Sequence, residues 1–268
     1  MNIGIIGCGA IGSTLAKAAE AIEEIDDVFV FDKSHVCSRV MEEKLSKAKS
    51  VLTIEELIQH SDFIIEAASQ EAVSLFAKDI LEGGKDMLIM SVGALVDDSF
   101  RSELESTARE HDAKIYLPTG AICGLDGLNS AAASGIEEVT LETTKPPMAF
   151  EGVSYLEEKG VDVKALSSPT VIFEGNAKEA VRLFPKNVNV AATVSLAGIG
   201  FENTKVRLVA DPGTEQNRHV ITAKGQFGSM KAEINNLPFD RNPKTSRIAA
   251  QSAIAALKKI VGTYWVGV

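Results

Sequence analysis

The sequence predicts an α/β chain of two domains, an N-terminal doubly wound parallel sheet followed by an α+β domain. Three observations predict it. Over the first 118 residues short β-branched runs alternate with helical patterns, as in a parallel sheet wound with crossover helices. A glycine-rich turn follows the first of those runs directly. In the second half the strand candidates crowd together with turn-like separators, the mark of a largely antiparallel sheet.

The elements follow in order. Strands are expected at Ile3–Ile6, Val28–Phe31, Phe63–Glu66, Met87–Met90 and Lys114–Leu117, and helices at Ile11–Ala21, Glu71–Leu81 and Ser99–His111. Thr53 with Glu56 three residues on reads as a capping box opening a short helix. Pro118 ends the last strand, so the first domain spans 1–118. The Gly-rich segment Thr119–Leu128 reads as a crossing between domains instead of a crossover helix. A second domain over 119–244 has strand candidates Val139–Thr143, Val171–Glu174, Val206–Val209, His219–Ala223 and Met230–Asn236. Helices at Glu179–Phe184 and Val190–Ala197 would cover one face. The remainder, 245–268, opens with a helix over Thr245–Ile260, after Pro243, whose small residues suit close packing and a return to the first domain.

Composition narrows the function. The chain's 268 residues, 45% hydrophobic and 24% charged, suffice for two cores. A net charge of −10 argues against a nucleic-acid partner, which needs a clustered cationic surface. Every long apolar stretch is interrupted well short of the roughly 20 residues a membrane span requires, so no membrane partner is expected. The apolar run from Ile3 leads into a glycine turn and not a signal-peptide cleavage site. Cys8, Cys37 and Cys123 look too few and too scattered for a disulfide framework or a zinc site, which suits a reducing cytoplasm.

The strongest chemical signal is Gly7-Cys8-Gly9-Ala10-Ile11-Gly12, between a strand and a helix. Here Gly7 would permit the tight turn, Gly9 the approach of a pyrophosphate, and Gly12 close helix–strand packing, with the helix N-terminus stabilising the phosphate charge. Asp32 ends the second strand about 20 residues on, where a carboxylate accepts from the adenosine ribose hydroxyls. The pair of signals makes the first domain a Rossmann-type dinucleotide domain. Asp32 would repel a 2′-phosphate and favour NAD, while Lys33 beside it would offset that charge and admit NADP. Small residues after the next strands, Ala67 and Ala68, then Ser91 and Gly93, leave room at the carboxyl ends of the sheet, although packing alone also accounts for them.

Residues 118–126 form a loop rich in backbone donors that would line the nicotinamide and substrate site. Within it Cys123 suits a small buried role better than a nucleophile. His35, His60 and His111 lie among polar residues and read as surface groups. His219 sits where a loop feeds a strand, a rigid place for an imidazole matched to proton transfer. On its own a histidine there is more often a structural residue.

Together with the glycine motif, the segments Glu66–Ser69, Ser91–Ala94, Pro118–Leu128, Lys145-Pro146-Pro147, Asn187–Ala192, Asn217–Ile221, Gly225–Gly228 and Asn242–Ser246 resemble the L-aspartate dehydrogenases of the NAD-biosynthesis type. Two positions depart from the family's usual pattern: Thr119 where it often has Ser, and Cys123 where it has Ala or Gly. The resemblance implies that His219 is catalytic, and that Asn189 and the Ala121–Cys123 stretch touch the cofactor near its reactive end. It further implies oxidative deamination of L-aspartate with NAD or NADP, by a homodimer whose second domain serves catalysis and dimerisation. Asn189, Thr193, Ser195 and the backbone N–H groups of 119–124 are candidates for the substrate carboxylates. Homoserine dehydrogenase and dihydrodipicolinate reductase, or a dinucleotide-binding sensor without activity, are the competing readings.

Overall fold

The computed structural model describes residues 1–185, 189–239 and 242–267, the side chains of 242–244 excepted. The chain forms two compact units, one of Met1–Pro118 with Ala250–Trp265 and one of Thr119–Ala249 with the last residues.

The first unit is built on β1 (Ile3–Ile6), α1 (Ala10–Glu20), β2 (Val28–Phe31), α2 (His35–Lys44), β3 (Ala48–Ser50), α3 (Ile54–His60), β4 (Phe63–Glu66), α4 (Gln70–Glu82), β5 (Asp86–Ile89), α5 (Asp98–Glu110) and β6 (Ile115–Tyr116). Its six strands run parallel in the order β3-β2-β1-β4-β5-β6, the doubly wound order whose chain direction reverses beside β1. Strands β1 and β4 are buried along their whole length, as a sheet covered on both faces requires. Their apolar runs therefore read clearly in the sequence. Helix α2 and strand β3 lie between Phe31 and Thr53, where no element is expected. The helix buries only Ser38 and Met41 and the strand has three residues, so their periodic signal is faint. At Thr53 the cap is half a capping box: its hydroxyl accepts from Glu56 N, but the Glu56 carboxylate accepts from Leu52 N, one residue too early.

The second unit contains α6 (Leu125–Ala132), β7 (Ile136–Lys145), α7 (Ser154–Glu158), β8 (Thr170–Asn176), α8 (Ala177–Leu183), α9 (Asn189–Ala197), β9 (Lys205–Ala210), β10 (Asn217–Gly225) and β11 (Gly228–Asn236). The sheet order is β11-β10-β7-β9-β8, antiparallel except for the parallel pair β7–β9. Two expectations change here. The Gly-rich segment is a loop only to Gly124, whose left-handed backbone (φ 81) turns the chain into α6. At the far end, β12 (Pro238–Phe239) pairs with β13 (Asn242–Ser246), and α10 (Arg247–Val261) starts after it. Thr245 and Ser246 thus belong to a strand and not to the helix, because β12 offers β13 a ladder, with Pro238 opposite Ser246 and Phe239 opposite Asn242, that local propensity cannot foresee. Among the described residues no helix is long and apolar enough to cross a membrane.

Candidate functional site

In the first unit the carboxyl ends of β1, β2 and β4 open onto a cavity of about 430 Å³, lined among others by Gly7, Gly9, Asp32, Lys33, Ala67, Ala68 and Ser69. The three motif glycines serve different ends. Gly7 has φ 102, and a Cβ there would sit 2.8 Å from the Ala67 carbonyl oxygen. A Cβ on Gly12 would collide with the Gly7 carbonyl, so this glycine is needed for helix–strand contact. Gly9 has nothing within 4 Å of where its Cβ would be. The protein's own packing does not require that glycine, whereas a ligand approaching the backbone does. Ala10 and Ile11 follow as the first residues of α1, whose free N–H groups suit a phosphate. The cradle therefore fits a dinucleotide.

Asp32 is held in place from the backbone. Its Oδ2 accepts from Cys8 N at 2.7 Å and its Oδ1 from Ser34 N at 2.8 Å, leaving further lone pairs for hydroxyl donors. The cysteines are less scattered than their spacing suggests: a ligand atom each from Cys8, Asp32 and Cys37 lie within 4.8 Å of one another, because α2 folds back over the glycine turn. Burial pushes the Cys8 thiol up, aided by Cys37 and the Asp32 charge, so it is protonated at neutral pH.

Glu66 carries no role in the sequence reading, yet it organises the neighbouring strand ends. Fully buried at the end of β4, its carboxylate accepts from Ala68 N (2.7 Å), Ser91 N (2.9 Å) and the Ser91 hydroxyl (2.8 Å). Burial raises its pKa and these donors pull in the opposite direction. Ser91 is thereby tied to the turn of Ala67 and Ala68, and buried Gly93 follows in a short 3₁₀ turn at Val92–Val96.

In the second unit His219 is the third residue of β10, between β7 and β11, and so lies inside the sheet instead of at a strand start. Register places His219 opposite Thr143, and their side chains meet at 2.9 Å between Nδ1 and Oγ1. The same alternation brings Lys145, Asn217 and Asn236 to this face. Among the described residues Lys145 and His219 are the only charged or histidine side chains buried in this unit. Burial first, and then the Lys145 charge, push the imidazole down to about 3, so it is neutral at physiological pH. The Asn217 Nδ2 donates to Ser246 Oγ at 3.1 Å, but its Oδ1 is buried with no hydrogen-bond partner. An orphaned acceptor of this kind in a polar cluster calls for a donor from a ligand or water.

The loop before α6 is tied to that cluster's strands. Asn236 Nδ2 donates to Ala121 O at 2.7 Å, and the Cys123 thiol lies 3.7 Å from Glu233 O, half-buried where a small buried residue is expected. Asn189 opens α9, half-buried. Farther along that helix Thr193 and Ser195 are buried and donate to the carbonyls of Asn189 and Ala191, at 3.2 and 2.8 Å, which commits their hydroxyl protons to the helix. Asn187, in the segment preceding α9, lies outside the described residues. Lys145 and Asn217 lie in segments that carry the family resemblance, yet that reading gives neither a role, because only strand register brings them beside His219.

Comparisons with known proteins agree with this division of the chain. Residues 7–118 match the family model described as the NAD-binding domain of homoserine dehydrogenase, and residues 126–260 match that of the aspartate dehydrogenase C-terminal domain. The first match shows that the dinucleotide half is shared with homoserine dehydrogenases; the second separates the chain from them. The L-aspartate dehydrogenase of Methanosarcina barkeri (strain Fusaro) is 46% identical over 272 positions, covering 100% of this chain and 99% of its own. That of Methanosarcina acetivorans is 46% identical over 269 positions with the same coverage. Among solved structures, the aspartate dehydrogenase of Thermotoga maritima is 28% identical, with a TM-score of 0.77 over 100% of this chain and 99% of that one. With a dinucleotide cradle in one unit, a buried His–Lys–Asn face in the other and kinship along the whole length, the chain belongs to the L-aspartate dehydrogenase family.

Proposed function

We propose that the protein catalyses the NAD(P)-dependent oxidative deamination of L-aspartate, with NAD preferred, and that the iminoaspartate formed is either released or hydrolysed to oxaloacetate and ammonia. The observation that carries this reading is the pair of buried ionisable side chains, His219 and Lys145, on one sheet face with the orphaned Asn217 Oδ1.

Each residue has a physical assignment. A bound dinucleotide supplies the hydride acceptor. Gly7, Gly9, Ala10, Ile11 and Gly12 would receive its pyrophosphate, Asp32 its adenosine ribose, and Ala67, Ala68, Ser91 and Gly93 its remainder, with Glu66 holding Ala68 and Ser91 in place. Ala121, Cys123 and Asn189 would border the reactive end. In the second unit Lys145 would pair with a substrate carboxylate and Asn217 Oδ1 would accept from the substrate ammonium. Because the hydroxyl protons of Thr193 and Ser195 are committed to α9, these residues would offer the substrate lone pairs only, and the backbone of 119–124 and Asn189 supply the second carboxylate's donors. Entry of a dicarboxylate would offset the Lys145 charge and raise the His219 pKa, so the imidazole gains basicity when a proton must be taken. His219 would then accept a proton from the substrate ammonium or from the water attacking the imine.

A cytoplasmic homodimer is the expected working form. The three cysteines are free, which suits a reducing compartment, and the sheet face bearing Glu142, Arg207 and Arg218 is open enough to meet a second copy. The test of activity is the appearance of reduced-nicotinamide absorbance with purified protein, L-aspartate and either NAD or NADP. Tight dinucleotide binding without turnover of any amino acid would instead favour a sensor.

A further inference from the structure

We propose that Cys8, Asp32 and Cys37 form a binding site for a soft divalent cation of the Zn²⁺ class, and that the cation and the dinucleotide exclude one another. The exclusion rests on the reading of Asp32 as the ribose contact; the metal site itself does not.

The geometry is that of a folded and not a sequential cluster. Cys8 lies inside the glycine turn, Asp32 ends β2, and Cys37 sits in the first turn of α2, so three separate pieces of backbone converge. One ligand atom from each lies within 4.8 Å of the other two. Tetrahedral zinc, with bonds of about 2.3 Å to sulfur and 2.0–2.2 Å to oxygen, needs ligand atoms about 3.4–3.8 Å apart. Side-chain rotation closes that difference. Two sulfurs and one carboxylate select a borderline-soft ion over Mg²⁺ or Ca²⁺, and leave the fourth position to water.

The surroundings suit the ion as well. Asp32 already accepts from the N–H groups of Cys8 and Ser34, which would orient a ligating carboxylate. Asp32 also lines the dinucleotide cavity, which gives the ion a way in. On binding, the two thiols release their protons to solvent and two S–metal bonds form. The dication with two thiolates and one carboxylate then carries the same single negative charge as Asp32 with two thiols. No redox partner is required. Once Asp32 holds the ion, its lone pairs no longer face the ribose hydroxyls, so each ligand lowers the other's apparent affinity.

The experiment uses the full-length protein, kept reduced, with Cd²⁺ and Zn²⁺ as probes. Cd²⁺ is expected to give a thiolate charge-transfer band in the ultraviolet that saturates at one equivalent, and Cys37→Ala is expected to abolish it while NADH binding without metal is unchanged. Added Zn²⁺ should raise the apparent Kd for NADH about tenfold or more in the wild type and leave Cys37→Ala unaffected. Absence of the band, or an equal band in Cys37→Ala, overturns the site, the latter by placing the ion at other groups. A Cys37-dependent band with unchanged NADH affinity overturns the exclusion. Failure to bind NADH at all would count against the cofactor reading, while the cadmium arm still decides the metal site.

Discussion

His219 is buried and neutral, and both facts have consequences that can be measured. Replacing it with Ala should lower kcat by about 10²–10⁴-fold with dinucleotide affinity retained, the usual loss of a positioned acid–base group. Steady-state kinetics beside a dinucleotide titration check this, and turnover within a factor of two of wild type would remove the assignment. Its pKa, about 3 in the fold against 6.5 for an ordinary histidine, also sets a stability trend. Below pH 6.5 the unfolded chain takes up a proton that the fold refuses, so the stability is fully present above that pH and is lost as the pH falls toward 3. The melting temperature of the wild type should therefore drop more between pH 7 and pH 5 than that of His219→Gln, whose side chain cannot titrate. Equal slopes would mean that His219 is solvated or charged in the fold. At the other site, Asp32→Ser removes the charge that repels a 2′-phosphate while Lys33 stays. The ratio of kcat/KM for NADP to that for NAD should rise; an unchanged ratio would take Asp32 away from the ribose.

At the scale of the element, the turn from β1 to α1 separates folding from binding within one motif. Gly12→Ala forces a Cβ against the Gly7 carbonyl and should lower the melting temperature, since backbone must move to relieve it. Gly9→Ala meets nothing in the protein, and its backbone (φ −66, ψ −168) is one that alanine adopts. That variant should melt close to wild type yet bind NADH at least about tenfold more weakly, a cost of roughly 1.4 kcal/mol. Thermal melts and NADH titrations of the two variants decide it, and a Gly9→Ala protein with full affinity would mean that no phosphate approaches there. Elements buried on both faces, such as β1 and β4, declare themselves by unbroken apolar runs. Helix α2, polar on most of its surface, and β13, which exists because β12 lies beside it, do not.

For the whole molecule, the proposed activity asks the first unit to hold a dinucleotide and the second to recognise a dicarboxylate. A site that pairs Lys145 and further donors with two carboxylates leaves polar groups unsatisfied with alanine and misplaces the second carboxylate of glutamate by a methylene. Each unpaired group costs about 1–3 kcal/mol. L-Aspartate should therefore exceed L-glutamate and L-alanine in kcat/KM, and oxaloacetate with ammonia should exceed 2-oxoglutarate and pyruvate in reverse. Initial rates across these six substrates test it; parity of glutamate or pyruvate chemistry would remove the aspartate assignment and leave the dinucleotide reading standing.

The sequence by itself determined the dinucleotide unit, because its signals are local: the glycines, the strand before them and the acidic residue after β2 are set by backbone sterics within a few dozen residues. It also marked His219, through the motif around it. Only the tertiary structure decided what His219 stands beside. Register between β7 and β10 sets Thr143 against it and Lys145 and Asn217 on its face, and convergence of the β1 turn, β2 and α2 gathers Cys8, Asp32 and Cys37. Pairings over such separations arise from strand order and burial, which no local pattern of residues encodes.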